Sequence, residues 1–221
     1  MTHHGMTGAV LCGLALLATP ALAHPHIFID ASVEVLLDGQ NRATGLRIGW
    51  RYDDLYSLSV IADRGLDPDW DGALTAAEES ALAGFDMAWM EGFQGDTYAL
   101  LDAADLRLGP PQDWTAGYAG GKITSTHLRM FAAPVAIGEG TLFVQVYDPG
   151  FYTSYAIVGD GVLTGGSGAC RAEVWGPDVD AADAALLAAL AEYSADESVE
   201  QDFPAVGRHY AEEVRVTCAA R

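Results

Sequence analysis

From His26 to Leu37 the chain alternates. Ile27, Ile29, Ala31, Val33 and Val35 fall on one side, and His26, Phe28, Asp30, Ser32 and Glu34 on the other. A period of two is that of a strand with one buried face. Asp38-Gly39-Gln40-Asn41 is turn chemistry, and Leu46, Ile48 and Trp50 continue into a second strand, so the pair predicts a hairpin. The period then lengthens. Asp53 to Ala62 predicts a short helix with Leu55, Leu58 and Ile61 on one side, and a second helix is expected from about Thr75 to Met90. After Phe93 strand-like runs return at 98–108, 123–131, 141–148, 152–158 and 170–175, separated by loops bearing Gly and Pro. Asp178 or Asp180 caps a late helix through Leu186, Leu187 and Leu190, and Val214–Cys218 closes the chain. The expected class is α+β: an antiparallel, β-rich, sandwich-like body with a small helical segment inserted at about 53–92.

The first 23 residues stand outside this plan. Gly8 to Ala18 is apolar but too short to span a bilayer, Thr19-Pro20 breaks it, and Ala21-Leu22-Ala23 is a small-x-small cleavage pattern. Residues 1–23 therefore read as a signal peptide, although its leading segment carries His3 and His4 and no Lys or Arg. Residues 24–221 read as one periplasmic domain, and no later apolar run is long enough for membrane insertion. Cleavage removes Cys12 and leaves Cys170 and Cys218 in an oxidising compartment, both in strand-like sequence, where a disulfide between them is expected.

Charge narrows the partners. With 31 Asp plus Glu against 11 Lys plus Arg, the net charge is −20, which repels phosphate backbones and excludes nucleic acid. Cations are favoured instead. No signature of common catalysis stands out: Gly159–Gly168 lacks the P-loop Lys, and no G-x-S-x-G occurs. The expectation is a binding protein, not an enzyme.

Residues 67–78, DPDWDGALTAAE, fit the calcium-loop pattern D-x-[DN]-x-[DN]-G-x5-E without a mismatch. Asp67, Asp69 and Asp71 take positions one, three and five, and Gly72 permits the sharp turn at six. Ala73 offers a backbone carbonyl at seven, Thr75 a water-mediated ligand at nine, and Glu78 the bidentate closing carboxylate. A structural calcium site is expected, even though Gly65 interrupts the preceding helix and no second loop pairs with this one.

Cleavage after Ala23 would expose His24-Pro25-His26. An N-terminal His offers its amine and its imidazole as one chelate, and Pro25 blocks any binding mode that needs a deprotonated amide at the second residue. Alternation puts His24, His26 and Asp30 on one face of the strand, a ligand set suited to zinc, nickel or cobalt. His127 and His209 are further candidates to complete such a site.

Together, HPHIFIDA after a signal peptide, W-R-Y-D at Trp50–Asp53, the Asp-rich loop and YDPGFY at Tyr147–Tyr152 resemble a widespread family of unknown function. Its members are labelled periplasmic component of an uncharacterised ABC-type transport system. They commonly lie beside, or are fused to, nickel/cobalt-exporter-type permeases, and some are linked to zinc acquisition. The resemblance runs from His24 to Cys218; His24, His26 and Asp30 match the opening motif, and Asp67, Asp69, Asp71 and Glu78 match the loop. Tyr52 stands where members usually carry Phe, and Pro68 and Trp70 make this loop less hydrophilic than is typical. What the resemblance implies is a metal-handling accessory of an inner-membrane metal permease, with zinc, nickel or cobalt as cargo and calcium as a structural ion. Two other classes stay open: a calcium-stabilised protein–protein interaction module, with YDPGFY as contact surface, and a copper histidine-brace enzyme.

Overall fold

The structure is a computed structural model, and it describes residues 25–194 and 203–219. The alternating N-terminal run forms strand β1 (Ile27–Leu37), joined through the Asp38–Asn41 turn to β2 (Arg42–Tyr52) with Val33 facing Ile48. Ile29, Ala31, Val33 and Val35 are buried, as their spacing requires. Helix α1 (Asp54–Asp63) follows, capped by Asp53, and the calcium-pattern loop leads into α2 (Ala76–Leu82).

The body then continues through β3 (Thr97–Leu101), β4 (Ala104–Leu106), β5 (Gln112–Ala119), β6 (Lys122–Ala136), β7 (Thr141–Val146), β8 (Thr153–Ile157), β9 (Val162–Gly165) and β10 (Cys170–Trp175). Helix α3 (Val179–Leu190), capped by Asp178, a 3-10 turn (Gly207–Tyr210) and β11 (Glu213–Cys218) complete it.

Two sheets result. The first runs β5-β6-β2-β1-β8, with β9 also against β1; the second runs β10-β11-β7-β3-β4. Their inner faces share one core, in which Val33, Leu46 and Ile48 of the first sheet join Leu142, Val144 and Val214 of the second. The expected disulfide is present: Cys170 and Cys218 face each other across β10 and β11 and are bonded.

The sequence reading needs four corrections. The first sheet is mixed, because β8 and β9 run parallel to β1. Helix α1 turns Ser57 and Ile61 inward and leaves Leu55 and Leu58 exposed; Ser57 Oγ accepts the Ile123 amide of β6 at 2.9 Å, and that bond holds the helix face. Helix α2 stops at Leu82 rather than near Met90. Gly84 there has φ +75, and a Cβ on it would lie 2.7 Å from Trp114 Nε1 of β5, so a tertiary contact ends the helix. Strands β5 and β9 carry no clear apolar alternation, and the pattern did not predict them.

Candidate functional site

The loop between α1 and α2 is built by its own carboxylates. Asp67 is 3% exposed and accepts the amides of Asp71 (3.0 Å) and Gly72 (3.1 Å), while Asp71 accepts that of Ala73 (2.9 Å). These bonds curl the chain around Gly72, whose φ of +80 glycine adopts without strain. As a result one carboxylate oxygen from each of Asp67, Asp69 and Asp71 lies within 4.8 Å of the others. Among the described residues this is the one group of three or more His, Cys, Asp or Glu side chains so placed.

Thr75 caps α2 in a reciprocal box with Glu78: Glu78 Oε2 accepts the Thr75 amide and hydroxyl, and Thr75 Oγ1 accepts the Glu78 amide. Those bonds from Thr75, with a further one from the Asp67 amide, hold the Glu78 carboxyl below its ordinary range. The bond from Asp67 also brings the twelfth loop residue back to the first. The three clustered donors are carboxylate oxygens, the type that hard cations such as calcium take, while Glu78 stands outside the cluster with its two oxygens accepting from Asp67 and Thr75. The entry to the loop is not helical, as Gly65 led one to expect: α1 ends at Asp63 and Asp67 itself has φ +51.

The start of β1 is a second meeting point. The amides of His26 and Ile27 both donate to the Tyr152 carbonyl (2.8 and 3.3 Å), and the His26 ring lies 4.6 Å from that of Tyr152. The Phe28 amide donates to Asp53 Oδ2, while Asp53 Oδ1 accepts the Tyr56 amide as the cap of α1. Asp148 shapes the YDPGFY turn by accepting the amides of Gly150 and Thr153. Three short motifs, the first and last of them more than a hundred residues apart in sequence, therefore meet at one end of the first sheet.

His24 lies outside the described residues. His26 is exposed and Asp30 lies on the same outer side of β1, but Asp30 pairs with Arg51 at 3.4 Å. His127 and His209 do not join His26 in a ligand cluster. His127 is wholly buried between Trp50 and Trp89, and His209 sits on the exposed 3-10 turn.

The surroundings of His127 are unusual for a core. On β6 the buried positions between Ile123 and Phe131 are Ser125, His127 and Arg129, three polar residues in a row on the inward face. Asp86 Oδ2 accepts both the Tyr52 and Ser125 hydroxyls, and burial pushes its carboxyl up. Asp96 accepts the Tyr155 hydroxyl at 2.8 Å and is pushed up to about 7 by burial, with Asp148 adding in the same direction. His127 is pushed down to about 3 by burial and by the charge of Arg129. Both His127 nitrogens, Trp50 Nε1, Asp86 Oδ1 and Asp96 Oδ1 are sealed from solvent with no hydrogen-bond partner. This polar seam escaped the sequence reading, and its one signal was a strand whose alternate residues were Ser, His and Arg.

Residues 9–218 match the family described as protein of unknown function (DUF1007). The chain belongs to that family. No curated protein matches it. The match to DUF1007 takes in the acidic loop, the motif junction at β1, the polar seam and the disulfide, so all four lie within the family's span. Among the described residues of this DUF1007 chain, no helix is long and apolar enough to cross a membrane.

Proposed function

We propose that this protein is a calcium-braced, periplasmic metal-handling accessory of a membrane permease, presenting zinc, nickel or cobalt through His24 and His26. It works by binding, not by catalysis. The observation that carries this reading is the convergence of HPHIF, WRYD and YDPGFY through backbone bonds at His26, Ile27 and Phe28. That junction supports the reading because the proposed ligands His24 and His26 lie at or within two residues of it in sequence. Calcium at Asp67–Glu78 would stiffen the segment between α1 and α2.

The test is calorimetric titration of protein beginning at His24 with zinc, nickel, cobalt, copper and calcium. One added residue before His24, or His26→Ala, is expected to weaken zinc or nickel binding by about tenfold or more. Neither change should alter the calcium response. Affinity should fall with acidity, because ammonium and imidazolium do not coordinate. Unchanged transition-metal binding in both variants would reject the terminal site. The interaction-module reading would then stand, and the exposed Phe28 and Tyr152 at the junction, with Leu55 on the adjoining helix, favour it.

A further inference from the structure

Among the described residues, Arg129 is the one Lys or Arg that is buried, at 2% exposure. In a chain this acidic it pairs with none of the described Asp or Glu residues. Its Nε donates to the Gly109 carbonyl and its Nη1 to the Gln94 carbonyl, both neutral backbone groups. The guanidinium lies over Trp89 at 4.7 Å from the ring centre. Burial lowers its proton affinity to about 10, which still leaves it charged at neutral pH. Nη2 makes no hydrogen bond to the described residues, and it is not among the atoms sealed from solvent.

A buried cation with a free edge is costly unless an anion meets it. Arg129 lines an open groove of about 400 Å³ whose other walls include Trp89, Phe93, Pro110, Pro111 and Trp114. That size is ordinary for small-molecule sites. Phe93 is 44% and Trp114 47% exposed, so two aromatic side chains of the lining stand half in water. Apolar walls and one convergent charge are the usual composition of a pocket that orients a small ligand by a single polar group.

We propose that this groove binds a small organic monocarboxylate with an aromatic or branched apolar body. The carboxylate meets the Arg129 fork, and the body lies against Trp114 and Phe93. The planar guanidinium matches a carboxylate in shape as well as charge. Polyanions are disfavoured more strongly than a single carboxylate by the net charge of −20 on the surrounding protein. None of these residues belongs to the acidic loop or to the terminal histidines, so the proposal stands or falls apart from the metal reading.

The probe is N-acetyl-L-phenylalanine against its primary amide, titrated into the full chain and followed by the tryptophan indole resonances and by calorimetry. The acid is expected to bind and the amide to bind at least about tenfold more weakly, because only the acid carries the charge. Trp114→Ala should weaken the acid by at least about tenfold, read well below the variant's own melting temperature because Trp114 also packs against Gly84 at the end of α2. Arg129→Gln should abolish binding; if that variant does not fold, the acid–amide comparison on the unaltered protein remains decisive. Equal binding of acid and amide, or no response to either at about 10 mM, overturns the proposal.

Discussion

His127 and Asp96 oppose one another in their response to acid. For His127, the folded value near 3 lies below the ordinary 6.5, so between those pH values the unfolded chain holds a proton that the native chain does not. Stability from this group therefore falls as pH falls, by up to about 1.4 kcal/mol per pH unit. For Asp96, the folded value near 7 lies above the ordinary 3.8, so between those limits the native chain holds the extra proton. Its contribution is lost as pH rises, with a similar slope. Between about pH 4 and 6.5 the two cancel, and removing either exposes the other. Relative to the parent, His127→Leu should melt at progressively lower temperature as pH is raised through this window, and Asp96→Asn at progressively higher temperature. Calorimetric scans at half-unit steps check both signs, and parallel curves for parent and variants would contradict the buried-charge account. Neither residue was legible as a core group. Ser125, His127 and Arg129 occupy alternate places that local pattern assigns to the wet side of a strand, and only the packing of Trp50 and Trp89 around them reverses that assignment.

At the scale of the element, the loop and α2 act as one unit. Glu78 caps the helix, and in the proposed calcium site it would also close the loop, so the test needs a substitution that spares the cap. Gln retains the cap, since either Glu or Gln serves at that helix position, but it lacks the charge that a closing calcium ligand would supply. Calcium should raise the melting temperature of the parent, and Glu78→Gln should abolish that rise while changing the calcium-free melting temperature little. At about a hundredfold excess over its dissociation constant, calcium adds about 2.7 kcal/mol. Identical melting in calcium and in chelator would rule the site out. The turn at Gly72, the clustering of the three Asp side chains and the cap at Thr75 were legible because all of them are set by twelve consecutive residues. The end of α2 was not, because Trp114 of β5 decides it across the fold.

For the whole molecule, the Cys170–Cys218 bond closes the second sheet's edge pair over a separation of 48 residues. Chain entropy assigns such a loop about 4 kcal/mol. Replacing both cysteines by Ala should lower unfolding free energy by about 2–5 kcal/mol in denaturant titrations, and an unchanged midpoint would mean that the native pairing alone holds the strands. This bond was legible from compartment and count, and the hairpin from its alternation. The parallel neighbours of β1 were not, because β8 and β9 lie more than a hundred residues further on and no turn signal joins them to it. That arrangement bears on how the molecule is made. Strand β1 is among the first parts of the body to leave the ribosome, and β2 pairs with one of its sides within fifteen residues or so. Its other side must wait for Thr153–Ile157 and Val162–Gly165. Throughout that delay a row of unpaired amides and carbonyls stands open beside a half-formed hydrophobic face, the condition under which strands recruit foreign chains. A nascent chain of this design must therefore be shielded along β1 until its last third has been synthesised.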